Sequence, residues 1–142
     1  MNNNSEFPQY TFIAWLISFV ATLGSLFFSE VMDFPPCSLC WYQRIAMYPL
    51  VLLFAVGFFM GKRETFAFTL PIVFIGWGIA LYHNLLHYEI VPENLAPCRE
   101  GVSCSTVYIE LLGFFTIPIM SFTAFSMIGA LLNLNYRSMR EA

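Results

Sequence analysis

Four uncharged apolar stretches dominate this chain: Tyr10–Ser29, Ile45–Gly61 (reaching outward to about Trp41), Thr65–His87 and Leu111–Asn135. Each reaches or approaches the roughly 20 residues a helix needs to cross the hydrocarbon core of a bilayer. None shows a polar face at helical spacing, as expected where lipid and neighbouring helices are both apolar. Pro49, Pro71 and Pro118 fall inside these stretches. They would break a soluble helix, but a membrane span tolerates them as kinks. Charged residues make up only 11% of the chain and hydrophobic ones 58%. A soluble domain has about 25% charged residues, so this chain cannot cover a water-facing surface in the usual way. The pattern predicts an all-α membrane protein, a single domain over residues 1–142. Its bundle has four transmembrane helices at about 10–29, 41–61, 65–87 and 111–135.

The connections set the orientation. Lys62 and Arg63 lie between spans two and three, and Arg137 and Arg140 follow span four. On the opposite side Arg99 is the one loop cation, among Glu30, Asp33, Glu89, Glu93 and Glu100. The positive-inside bias places both termini in the cytoplasm and two loops outside. Both cysteine pairs then face the compartment in which disulfides form and persist. Residues 1–9 hold no Lys or Arg, and the first apolar run exceeds a typical signal-peptide core, so it is expected to stay as a span. Trp41, Tyr88 and Tyr108 suit an outer interfacial belt. Ser105–Leu112 reads as a short amphipathic helix along that surface.

Within this frame Cys37-Ser38-Leu39-Cys40, followed by Trp41-Tyr42-Gln43-Arg44, concentrates the chemistry. Pro35-Pro36 cannot extend a helix backwards, so the second span is expected to begin around Cys37–Cys40. Helix N-termini lower thiol pKa values and favour the thiolate, the form that attacks a disulfide or an electrophile. Arg44 sits one turn beyond Cys40 on the same face. A cation inside a span is costly and marks a functional position with a partner, here a thiolate or a ligand oxygen. The competing reading is a fixed disulfide bracing the loop to the helix end. So short a ring contributes only about 2 kcal/mol in the entropy model.

Cys98 and Cys104 form a second pair, with Gly101 between them permitting a turn. Alone, such a loop disulfide reads as structural. Beside an exposed C-x-x-C, two dithiol pairs on one face can pass a disulfide between them by exchange. The four cysteines with His83 and His87 also raise zinc or copper ligation. No second C-x-x-C is present and both histidines lie in an apolar helix end, so no metal site is expected. His83, deep in span three, needs a polar partner. No nucleic-acid interaction is expected. Three function classes stand at this point: a redox enzyme, a non-enzymatic partner-binding membrane subunit with two structural loop disulfides, and a metal carrier using the same sulfurs.

Taken together these residues resemble the bacterial DsbB family of membrane thiol:quinone oxidoreductases, most closely its short BdbC-type members. The likeness rests on Cys37 through Arg44, on Tyr82-His83-Asn84, on Pro97-Cys98 through Cys104-Ser105, and on Gly113-Phe114-Phe115-Thr116-Ile117-Pro118. It implies a multi-pass protein of the bacterial cell membrane that reoxidises an extracytoplasmic thioredoxin-like thiol oxidase. The electrons pass to a membrane quinone, menaquinone or ubiquinone. The resemblance implies redox-active disulfides Cys37–Cys40 and Cys98–Cys104. The reduced partner would attack Cys98, and Cys104 would exchange with Cys37, leaving Cys40 as the thiolate facing the quinone. Arg44 and His83 are the implied quinone contacts. Cys98 and Cys104 lie closer together than in the DsbB branch, so a mobile Tyr88–Cys104 loop is expected to bring Cys104 to Cys37.

Overall fold

A computed structural model describes residues 3–59, 61–95 and 116–141 of the chain. The expectations for Cys98, Cys104, Tyr108 and the Ser105–Leu112 helix lie outside the described residues. Four long helices, α1 (Asn3–Leu26), α2 (Ser38–Gly57), α3 (Lys62–His87) and α4 (Ile117–Glu141), make up nearly all of the rest. A π-helical turn, Phe27–Val31, continues α1, and a short 3₁₀ turn, Glu93–Leu95, follows α3. No strand is present among the described residues. All four helices are long and apolar enough to cross a membrane, over Gln9–Val31, Ser38–Gly57, Arg63–His87 and Ile117–Ser138.

Local chemistry explains where the helices stop. Asp33 takes a left-handed conformation (φ 51°) just after the π turn, and Pro35-Pro36 then keep the chain extended until α2 opens at Ser38. At the far end of α3, Glu89 is left-handed (φ 57°). The Ile90 N–H reaches back to the Leu85 carbonyl at 3.0 Å, the wrap-around bond that closes a helix C-terminus. The sequence places Pro118 inside a span that starts at Leu111, whereas α4 begins at Ile117. Pro118 therefore sits in the first turn, where a missing N–H costs nothing because that turn has no intrahelical acceptor. Pro49 and Pro71 do lie within α2 and α3.

Each helix packs against two neighbours, in the cyclic order α1, α2, α3, α4 and back to α1. Ser25 near the end of α1 meets Arg44 near the start of α2, and His83 near the end of α3 meets Gln43. Successive helices therefore run antiparallel. Ala14, Ala46, Met47, Leu50, Phe54, Val73, Ala80, Phe125, Ile128 and Leu132 fill the bundle axis. Large apolar side chains such as Val20, Leu52, Phe59 and Phe74 point outward and are exposed, as helices surrounded by lipid require. Several polar groups inside are paired within the protein: Thr69 Oγ1 donates to the Thr65 carbonyl at 2.7 Å, and Trp77 Nε1 to Ser126 Oγ at 3.0 Å across α3 and α4. Asn84 Nδ2 donates to the Pro118 carbonyl at 3.0 Å and ties the end of α3 to the start of α4.

Close approach of α3 and α4 depends on Gly76, where an added Cβ would run into the ring of fully buried Phe125. Gly78, two residues on, faces open space. Gly76→Ala is expected to lower stability by about 1–3 kcal/mol through overpacking, and Gly78→Ala to change it by less than about 0.5 kcal/mol. Thermal unfolding of the two variants in detergent checks the contrast.

Candidate thiol redox site and its cavity

The site lies where the first turns of α2 meet the last turns of α3. Cys37 is the N-cap of α2, extended at φ −72° and ψ 171°, and its sulfur accepts the Cys40 N–H at 3.4 Å. The thiol thus fills the place a serine or aspartate oxygen usually takes at a helix start. Cys37 and Cys40 are free thiols with their Sγ atoms 3.1 Å apart. Cys37 is buried among Leu39 and Leu86, and Cys40 is half-buried beside them.

His83 closes the group from α3. Its Nε2 lies 3.9 Å from Cys37 Sγ, and its Nδ1 lies 3.1 Å from Gln43 Nε2. Both His83 and Gln43 are buried, so this chain of contacts satisfies polar groups that water cannot reach. An amide donating to Nδ1 leaves the hydrogen on Nε2, aimed at the Cys37 sulfur. Cys37, one residue outside the membrane-spanning part of α2, is accordingly held at a pKa of about 4. The hydrogen bond with the Cys40 thiol is the largest cause, and burial opposes it; the His83 contact and the Cys40 N–H add to the lowering. Family likeness puts the thiolate on Cys40, but in the reduced pair the donors converge on Cys37.

Arg44 turns the other way. Its Nη2 donates to the Ser25 carbonyl at 3.0 Å, and its guanidinium carbon lies 5.4 Å from the centre of the Trp41 ring. Nε is buried with no partner among the described residues. Arg44 and Cys40 share the wall of a cavity of about 650 Å³ bounded by α1, α2, α4 and the Phe34–Pro36 segment. That volume falls within the roughly 300–1,000 Å³ of pockets that enclose a small molecule. Nearly all its lining is apolar, including Phe28, Met47 and Met120. Tyr48, one turn beyond Arg44, also faces it, with a buried hydroxyl lacking a partner among the described residues.

The structure therefore brings Cys37, Cys40 and His83 together and places Arg44 beside Cys40 on the cavity. It does not put His83 there, since no residue of α3 is among the cavity walls. His83 reaches the sulfurs instead. Gln43 and Tyr48 are the contributors that sequence reasoning passed over. Gln43 was visible only as a letter in the motif, because its partner lies forty positions away. Tyr48 was hidden among abundant aromatics, although its spacing of four from Arg44 put both on one face.

The described architecture coincides with comparisons to known proteins. The family model "Disulfide bond formation protein DsbB" matches residues 8–134. The chain is 42% identical over 119 residues to "Disulfide bond formation protein C" of Bacillus subtilis, covering 84% of this chain and 86% of that protein. It is 43% identical over 116 residues to "Probable disulfide formation protein C 2" of Bacillus cereus, covering 82% and 83% respectively. A "Probable disulfide formation protein" of Oceanobacillus iheyensis is 42% identical over 123 residues, covering 84% and 83%. No solved structure matches with significance. With four spanning helices and a thiol pair at one end of the bundle, the chain belongs to the DsbB family of disulfide bond formation proteins, as a multi-pass protein of the bacterial cell membrane.

Proposed function

We propose that this chain is a thiol:quinone oxidoreductase that regenerates the disulfide of an extracytoplasmic thioredoxin-like thiol oxidase. The observation that supports this most is the shared wall of Cys40 and Arg44 on an apolar cavity. A redox thiol there opens onto a lipid-compatible chamber instead of water. Two buried polar atoms of residues lining it, Arg44 Nε and Tyr48 Oη, have no partner among the described residues. Leaving them unpaired is costly in so apolar a place. A flat, apolar ring bearing carbonyl oxygens answers both demands, and the residues present fit such a group. A quinone supplies the electron sink, accepting two electrons and two protons for each disulfide made.

The protein's own residues do the rest. In the oxidised chain Cys37 and Cys40 share a disulfide, and attack on Cys37 by the Cys104 thiolate releases Cys40 as a thiolate. That leaving sulfur faces the cavity, next to the positive charge of Arg44. Cys98 takes the mixed disulfide with the reduced partner, whose dithiol supplies both electrons. Once the partner's second thiol has displaced Cys98, the Cys98 thiolate takes back Cys104 and releases Cys37 as a thiolate, which His83, its tautomer set by Gln43, stabilises by donating to it. The buried site at the membrane edge keeps the reactive sulfurs from adventitious thiols.

Three outcomes test this. With a soluble quinone analogue and a reduced thioredoxin-like partner, the wild-type chain turns over and Cys40→Ser does not; full turnover by Cys40→Ser contradicts the scheme. Arg44→Ala raises the KM for quinone by about 10- to 100-fold, the worth of one hydrogen bond to a charged group, with less effect on the KM for partner. In reduced Cys98→Ser/Cys104→Ser protein, thiolate absorbance is present at neutral pH and disappears only as pH falls through about 4. A thiol that ionises near an ordinary value of about 8.5 gives no such absorbance at neutral pH, and that result would remove the hydrogen-bonded Cys37 thiolate.

A further inference from the structure

The same three side chains have a second capacity, against the expectation from sequence that no metal is bound. Cys37 Sγ, Cys40 Sγ and a His83 ring nitrogen all lie within 4.8 Å of one another. Around a tetrahedral zinc, with Zn–S near 2.3 Å and Zn–N near 2.1 Å, ligand atoms stand about 3.5–3.8 Å apart. The Sγ–Sγ separation of 3.1 Å and the Sγ–Nε2 separation of 3.9 Å bracket that spacing. Shifts of under about 1 Å make the set a ligand triangle. His87, the other histidine, is not part of this group.

We propose that the reduced Cys37–Cys40 pair and His83 form a binding site for a thiophilic d10 ion, Zn2+ in the first instance, which holds the dithiol in its reduced form. Three features of the surroundings fit. Two thiolates neutralise one divalent ion, so the loaded site brings no net charge into the apolar bundle. Rotating the Gln43 amide by half a turn presents its oxygen to His83 Nδ1–H, the outer hydrogen bond that metal-bound imidazoles commonly make. Cys40 opens onto the cavity, which leaves the fourth coordination position clear of protein side chains.

With Cys37 already a thiolate, coordination releases the one proton the pair still holds and transfers no electrons. A disulfide offers no thiolate, so only the reduced protein binds. While the ion stays, neither sulfur is free for exchange, and the chain is a metal-sensitive enzyme in its reduced state. That regulatory consequence rests on the redox function proposed above, whereas the binding itself does not.

Cd2+ serves as the spectroscopic probe. Reduced full-length Cys98→Ser/Cys104→Ser protein in detergent is titrated with it, following the sulfur-to-metal absorption band in the near ultraviolet. The expected result is about one ion per chain, no band in the oxidised protein, and loss of the band in Cys37→Ser. Gln43→Leu weakens binding by about 10- to 100-fold. X-ray absorption of the Zn2+-loaded protein identifies the donors without further substitution, as two sulfurs and one imidazole. Absence of the band, a band that survives Cys37→Ser, or a donor set lacking imidazole overturns the proposal. Quinone-dependent turnover of the unsubstituted chain is measured alongside. Turnover without metal binding overturns the metal site alone, and metal binding without turnover supports the site while contradicting the redox function.

Discussion

The contact of Gln43 and Cys37 on α2 with His83 on α3 is the interaction on which this end of the bundle depends. In lipid a polar group has no water to turn to, so each must be satisfied by another part of the chain. A thiol, an amide and an imidazole satisfy one another here, and in doing so they fix how α2 and α3 register. The result is a thiol pair whose first sulfur is stabilised from the α3 side and whose second sulfur opens on the α1–α4 side. The division of labour follows from the ring of four helices: α2 presents one face to each neighbour.

Arg44 illustrates the same constraint with a different outcome. Its guanidinium satisfies one nitrogen on the Ser25 carbonyl and rests near the Trp41 ring, yet Nε stays unpaired among the described residues. A charge held by the backbone of a neighbouring helix is oriented without being neutralised. It therefore remains available to an anion or a polarised oxygen beside Cys40. The cavity adds volume and apolarity, so it suits a ligand that is itself mostly apolar.

Much of this was legible in the sequence for identifiable reasons. Long uncharged runs announce spans because charge inside lipid is so costly, and the four helices appear where those runs lie. Cys37, Cys40 and Arg44 are separated by three and four residues, so helix geometry alone places them together. What the sequence concealed is long-range. His83 meets Gln43 and Cys37 across forty and forty-six positions, and only packing decides that it serves the sulfurs and not the cavity. The start of α4 at Ile117 has a local reason that an apolar run does not reveal: Pro118 prefers a first turn. Cys98 and Cys104 fall outside the described residues, and their pairing stays an expectation from family likeness.

The proposed function requires that electrons leave the Cys37–Cys40 pair directly through the cavity. It is tested most directly without any partner protein. Reduced Cys98→Ser/Cys104→Ser chain in membranes, under anaerobic conditions, is given a quinone analogue, and its free thiols are trapped and counted over time. Cys37 and Cys40 are expected to lose their free thiols together, with one quinol formed per disulfide. Thiols that stay reduced in the presence of excess quinone would contradict it.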